Sequence, residues 1–158
     1  MRAFSRRSHP TFCIEPDAVI SGTIKLDALA DWVMANVGPA TVPLVYSSAN
    51  PAMVRAAQDR YGRERLATAF EDLFGELTEL LVWRGISKII AAGGETSGAI
   101  VKALKAEAFE IGPEIDPGVP ALRDPEMQLW LALKSGNFGA TDFFAKAARV
   151  LGGGGTDE

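Results

Sequence analysis

Two short stretches of this sequence combine glycine with hydroxyl, carboxylate and ammonium groups in a pattern suited to phosphate. Gly93-Gly94-Glu95-Thr96-Ser97-Gly98 directly follows the apolar run 86–92, and Ala99-Ile100-Val101-Lys102-Ala103-Leu104 continues it as a helix. Glycine lets the backbone take a positive φ and lets a ligand approach closely. A helix start adds unpaired N–H groups and the positive end of a dipole. Lys134-Ser135-Gly136-Asn137-Phe138-Gly139 is a second such turn, again after an apolar run, 129–133. Two glycine-rich turns at two strand ends describe a nucleotide cleft better than either does alone.

Each residue has two readings. Gly93, Gly94, Glu95, Thr96 and Ser97 either bind phosphate or form a tight strand–helix connection with Thr96 or Ser97 as N-cap. Glu95 beside a phosphate needs a cation, so it either meets Mg²⁺ through water or stabilises the helix start. Lys134 either neutralises phosphate charge or is a surface lysine at a strand end. Asn137 reads ribose or base, or occupies a left-handed turn position. Asp116, between prolines, is a water-mediated metal contact or an Asx-turn. Cys13 is the only cysteine and His9 the only histidine, which invites a nucleophile–base pair. The alternating stretch Thr11-Phe12-Cys13-Ile14 makes strand packing the better account of Cys13.

These residues need elements to hold them. The spacing predicts a strand over 11–15 ended by Pro16, and a helix over about 24–37 capped by Thr23, with Leu26, Leu29, Trp32, Val33 and Val37 on one face. A strand over 42–46, a turn over 47–51, a helix over 52–60 and a break at Gly62 follow. A longer helix over 63–84 carries the stripe Leu66, Phe70, Leu73, Phe74, Leu77, Leu80 and Leu81, read as core. Strand 86–92, helix 97–104 and a strand near 108–111 form a β-α-β pattern. A proline-rich loop over 112–120 leads to a strand over 127–133 and a last helix from Thr141 or Asp142 to Leu151. The alternation implies a Rossmann-like α/β fold, a three-layer sandwich with a mainly parallel sheet. Ligands then sit beyond the carboxyl ends of strands, where both glycine turns and Ser47-Ser48 would meet.

At 158 residues the chain reads as a flexible N-terminus 1–8, one α/β domain 9–151 and a flexible tail 152–158. An apolar content of 47% with 23% charged residues argues against disorder, and a net charge of -4 gives no electrostatic reason to bind nucleic acid or anionic membrane. No apolar run approaches the roughly 20 residues of a membrane helix, and the start lacks a secretory pattern. With a single cysteine, the cytoplasm is the expected compartment.

Three motifs in order make the pattern specific. Gly93-Gly94-Glu95-Thr96-Ser97-Gly98, then Ile111-Gly112-Pro113-Glu114-Ile115-Asp116-Pro117-Gly118-Val119-Pro120, then Leu133-Lys134-Ser135-Gly136-Asn137-Phe138-Gly139 with Asp142-Phe143-Phe144 lie at short spacing. This part of the chain, roughly 9–151, resembles the C-terminal nucleotide-binding domain of the four-carbon acid sugar kinase family. The resemblance implies ATP-dependent phosphorylation of tetronates or 3-oxo-tetronates. It implies that Gly93, Gly94, Glu95 and Thr96 form the phosphate-side ATP loop and that Gly136 is a second nucleotide contact. It also implies a separate acid-sugar-binding domain outside these residues, so the chain would be the nucleotide half, inactive alone. A stand-alone, non-catalytic nucleotide-binding or interaction module is the alternative. A homodimer, or docking on a partner domain, is expected, with the Phe12–Ile14 strand or the helix from Ile24 at the contact.

Overall fold

The computed structural model describes residues 9–39, 41–47, 51–136 and 142–153. The expectations for 1–8, Ser48, Asn137 and the end of the tail lie outside the described residues. Strand β1 (Thr11–Ile14) leads through helix α1 (Pro16–Ile20) and α2 (Leu26–Asn36) to β2 (Leu44–Ser47). Helices α3 (Pro51–Tyr61) and α4 (Arg63–Trp83) follow, then β3 (Lys88–Ala92) and α5 (Gly94–Leu104). Strands β4 (Glu110–Asp116), β5 (Val119–Asp124) and β6 (Leu129–Lys134) precede the last helix, α6 (Phe143–Leu151).

The fold is α/β, as expected. The ladders that close over helical crossovers, β1–β2 and β3–β6, are both parallel. The larger sheet has the order β3-β6-β5-β4, and its β4–β5 and β5–β6 ladders are antiparallel. Strand β6 reads Leu-Trp-Leu-Ala-Leu-Lys, apolar on both faces, because both faces are covered. On one side Leu129, Leu131 and Ala91 pack with Ile100 and Leu104 of α5. On the other, Ala132, Ala121, Ile115 and Val119 pack with Phe143, Ala147 and Leu151 of α6. Helix, sheet and helix thus form three layers around β6.

The β1–β2 pair has its own core. Ile14 packs with Leu29 and Ala30 of α2 and Leu77 of α4, with Phe70, Leu73, Phe74, Leu80 and Leu81 around them. The stripe read on α4 is therefore a core stripe, as expected. The neighbouring face joins α5: a Cβ on Gly75 would lie 3.3 Å from the Ala103 Cβ, so only a glycine lets the two helices approach this closely without adjustment. Arg84, just beyond α4, donates to Asp27 at 2.8 Å and to Asp31, fastening that end of α4 to α2.

Three local expectations are corrected. Pro16 does not simply end a strand; it opens α1, where its missing N–H and fixed φ cost nothing. Thr23 is not the cap of α2, whose N-cap is Lys25; the Thr23 hydroxyl donates instead to the Ala18 carbonyl at 3.2 Å. The stretch 112–120 is a β-hairpin rather than a loop. Pro117-Gly118 makes its tight turn, with Gly118 at φ +76°, and the Gly118 N–H donates to the Glu114 carboxylate at 2.8 Å. Pro113 is tolerated because β4 is an edge strand with shifts in its register.

Ile14 is buried and Phe12 packs edge-on against Trp32 at 5.3 Å, so the first strand is spent internally. Trp83, 82% exposed, and Ile111, 79% exposed, are the most exposed large apolar residues among those described.

Candidate nucleotide site

Because β3 and β6 are parallel neighbours, both glycine turns leave the sheet at the same edge. Ala92 lies opposite Lys134, and the next residue, Gly93, donates its N–H to the Lys134 carbonyl at 2.8 Å. One backbone hydrogen bond thus joins the two stretches that the sequence singled out. Gly93 has φ 126° and ψ 130°, a conformation open essentially to glycine alone.

The helix begins earlier than the sequence implied. Gly94, Glu95, Thr96 and Ser97 form the first turn of α5 rather than a loop before it, and Gly93 is the N-cap. Neither Thr96 nor Ser97 caps the helix; the cap makes no side-chain hydrogen bond. The amides of Gly94, Glu95 and Thr96 therefore have no intrahelical acceptor. The Ser97 N–H closes the turn onto the Gly93 carbonyl at 2.9 Å, while the Ser97 hydroxyl is buried with no hydrogen-bond partner. Gly94 and Gly136 have open space where a Cβ would stand, so the backbone is accessible at both turns. These features fit a phosphate chain.

Lys134 is half-buried, with its ammonium 5.7 Å from the centre of the Phe143 ring. That contact holds the charge at the start of α6, beside the second turn. Glu95 is exposed on the first turn of α5. No group of three or more candidate metal ligands occurs among the described residues. Mg²⁺ is commonly held by one or two carboxylates plus substrate phosphates, so a lone Glu95 fits that mode of binding.

Asp116 belongs to a different arrangement from either reading of the sequence. Its carboxylate is 3% exposed and accepts from the Lys146 ammonium at 2.7 Å; Lys146 also reaches Asp142 at 3.3 Å. Hydrogen bonds from Lys146 to Asp116, and then to Asp142, push the lysine pKa up. Raising the folded pKa makes this contribution to stability full below the ordinary lysine value, roughly 10.4. It is lost as pH rises through the raised value. Lys146→Met should remove that alkaline dependence. It should also lower the melting temperature more than Asp116→Asn, since it takes a cation away from a buried carboxylate whereas Asp116→Asn leaves an ammonium near water and beside Asp142. Thermal melts between neutral and alkaline pH check both points, and equal melting temperatures for the two variants would refute the ordering.

Cys13 and His9 make polar contacts with different groups. His9 Nδ1 accepts the Val42 N–H at 3.1 Å, and the Cys13 thiol lies 3.6 Å from the Glu15 carboxylate. Burial, and then Glu15, push the thiol pKa up, which disfavours the nucleophilic thiolate. Strand packing accounts for Cys13.

Beside the first turn of α5 lies a cleft of 230 Å³. Ser47 at the end of β2 lines it together with Glu95 and Thr96. The cleft also takes in Gln58 of α3 and Arg63, Phe70 and Glu71 of α4, none of which the sequence reading assigned to a site. The polar residues of α3 and α4 at positions 58, 63 and 71 carried the only available signal. They sit at helical spacing next to apolar ones, a pattern shared by any surface helix.

The family model of a nucleotide-binding C-terminal domain matches residues 1–144. The chain belongs to that family. Among relatives of this nucleotide-binding domain, the 3-oxo-tetronate kinase of Brucella melitensis is 45% identical over 141 residues, covering 89% of this chain and 32% of the relative. The 3-oxo-tetronate kinase of Haemophilus influenzae is 38% identical over 142 residues, 90% of this chain and 34% of its own length. The chain therefore spans about a third of the length of these curated relatives. A crystal structure of a Haemophilus influenzae DUF1537 protein superposes with a TM-score of 0.84 at 38% identity, over 90% of this chain and 34% of that one. A Bordetella bronchiseptica DUF1537 domain, solved with citrate as a domain-swapped dimer, shares the fold at 20% identity and a TM-score of 0.64. That structure covers 96% of this chain and 35% of its own.

Proposed function

We propose that this chain binds Mg-ATP and is the nucleotide half of a kinase acting on four-carbon acid sugars, tetronates or 3-oxo-tetronates. The observation that carries the reading is the Gly93 N–H to Lys134 carbonyl bond, which makes one surface of two glycine turns. On that surface the amides of Gly94, Glu95 and Thr96 hold phosphate oxygens, and Ser97 closes the turn that presents them through its N–H to the Gly93 carbonyl. Lys134 offsets their charge, Gly136 bounds the other side, and Asn137 is assigned the ribose or base contact. Glu95 orients Mg²⁺ through water. Bound Mg-ATP supplies the transferable γ-phosphoryl group. The chain's own contribution is positioning and charge neutralisation, which dominate catalysis of such transfers.

The groups that would hold a sugar acid and accept its hydroxyl proton are assigned to a substrate domain outside these residues. Docking on that domain, or homodimerisation, would cover Trp83 or Ile111. An ATP-dependent reaction on a small metabolite fits a cytoplasmic protein, and no helix among the described residues is long and apolar enough to cross a membrane.

Calorimetric titration with Mg-ATP should show weak, saturable binding, and the purified chain should not phosphorylate erythronate, threonate or their 3-oxo forms. Absence of any nucleotide binding would refute the site. Robust turnover by the chain alone would refute its assignment as half an enzyme.

A further inference from the structure

We propose that the cleft between α3, α4 and the start of α5 seats the purine base, and that Gln58 and Glu71 select adenine there; this rests on the nucleotide reading above. The cleft and the phosphate surface share Glu95 and Thr96, so a ligand whose phosphates lie on the first turn of α5 has the cleft directly beside it. Its 230 Å³ is below the roughly 300–1,000 Å³ of a site for a whole drug-sized ligand, which suits one ring system and not a complete nucleotide.

The lining matches a flat heteroaromatic group. Val54, Leu66, Ala67, Phe70 and Phe74 supply apolar walls, with the two phenylalanine rings stacked 6.2 Å apart, one helical turn from each other. Phosphate or a sugar acid is a poor occupant of the α3–α4 side of this space, because the walls there are largely apolar and Glu71 offsets the charge of Arg63. A purine edge instead finds complementary groups. The Gln58 amide both donates and accepts, which suits the amino group and ring nitrogen of adenine. The Glu71 carboxylate only accepts, so it welcomes a 6-amino group and opposes a 6-oxo group.

Binding of Mg-ATP, Mg-ITP and Mg-tripolyphosphate to the full chain tests the assignment, since ITP differs from ATP in carrying oxygen at position 6. The wild type should prefer ATP to ITP by about tenfold or more, the discrimination expected of one good base contact. Glu71→Gln should shrink that preference to about threefold or less. Ala67→Phe should fill the cleft and weaken ATP about tenfold while leaving tripolyphosphate unchanged; Gln58→Ala, on the half-buried side of α3, provides a second variant where folding of the first is impaired.

Unchanged ATP affinity in Ala67→Phe and Gln58→Ala would overturn the base seat while leaving the phosphate surface intact. Parallel loss of ATP and tripolyphosphate in a folded Ala67→Phe would place phosphate in the cleft and overturn it equally. A wild type that binds tripolyphosphate but does not distinguish ATP from ITP removes the adenine selection. Binding of none of the three would refute the nucleotide reading itself.

Discussion

Gly94→Val should give a folded domain that has lost Mg-ATP binding by about a hundredfold or more, the scale on which small misplacements of a bound group act. Gly94 is the first residue of α5, and a Cβ there meets nothing within 4 Å, so the fold has room for a side chain. The same open space is where a phosphate would approach the backbone. Gly94 is also not among the glycines at positive φ, so the substitution adds no conformational strain of that kind. Gly93→Ala makes the opposite comparison. At φ 126° any side chain is strained, and the expected cost is about 1–3 kcal/mol of stability. Far-UV circular dichroism, urea unfolding and ATP titration of the two variants should therefore separate a binding defect from a stability defect. Wild-type ATP affinity in folded Gly94→Val would remove the first turn of α5 from the site.

Phe143→Ala should cost about 3–5 kcal/mol, the range for removing a fully buried aromatic side chain. Phe143 is 2% exposed and packs among Ile115, Val119, Ala121, Ala132, Ala147 and Leu151, so its loss opens a cavity between α6 and the sheet. Against a total stability of about 5–15 kcal/mol for a typical domain, that is a large fraction. The effect extends to the site, because the ring also carries Lys134 and lies edge-on to Phe144 at 5.8 Å. Equilibrium unfolding in urea measures the loss, with Phe143→Leu as the milder comparison. A change below about 1 kcal/mol would mean that α6 closes over the gap and that the sheet does not depend on it.

The parts of the fold legible in the sequence were those with local signals. Gly62 between two apolar periodicities marked the α3–α4 break, and α4 runs almost as read. Strands β3 and β6 were legible because each reads as a short apolar run followed by glycine. The hairpin at 112–120 was not, since its prolines speak against a strand until β4 is known to lie at the sheet edge. The start of α5 was misplaced because Gly94 is a poor helix former on its own, and tertiary packing overrides that preference. The Asp116–Lys146 pair joins residues far apart in sequence, which no local pattern reports. Phe70 and Phe74 were correctly read as core residues, yet periodicity gave no sign that the same rings also line a cleft.

The 21 residues of α4 form a rod about 30 Å long. One end supplies Arg63, Leu66, Ala67, Phe70, Glu71 and Phe74 to the cleft. The other is clamped by Arg84 to two aspartates of α2 that are themselves largely exposed. Between those ends Phe70, Phe74 and Leu77 pack into the core of the β1–β2 pair and Gly75 lies against α5, so the wall of the cleft takes its position from the same side chains that hold the fold together.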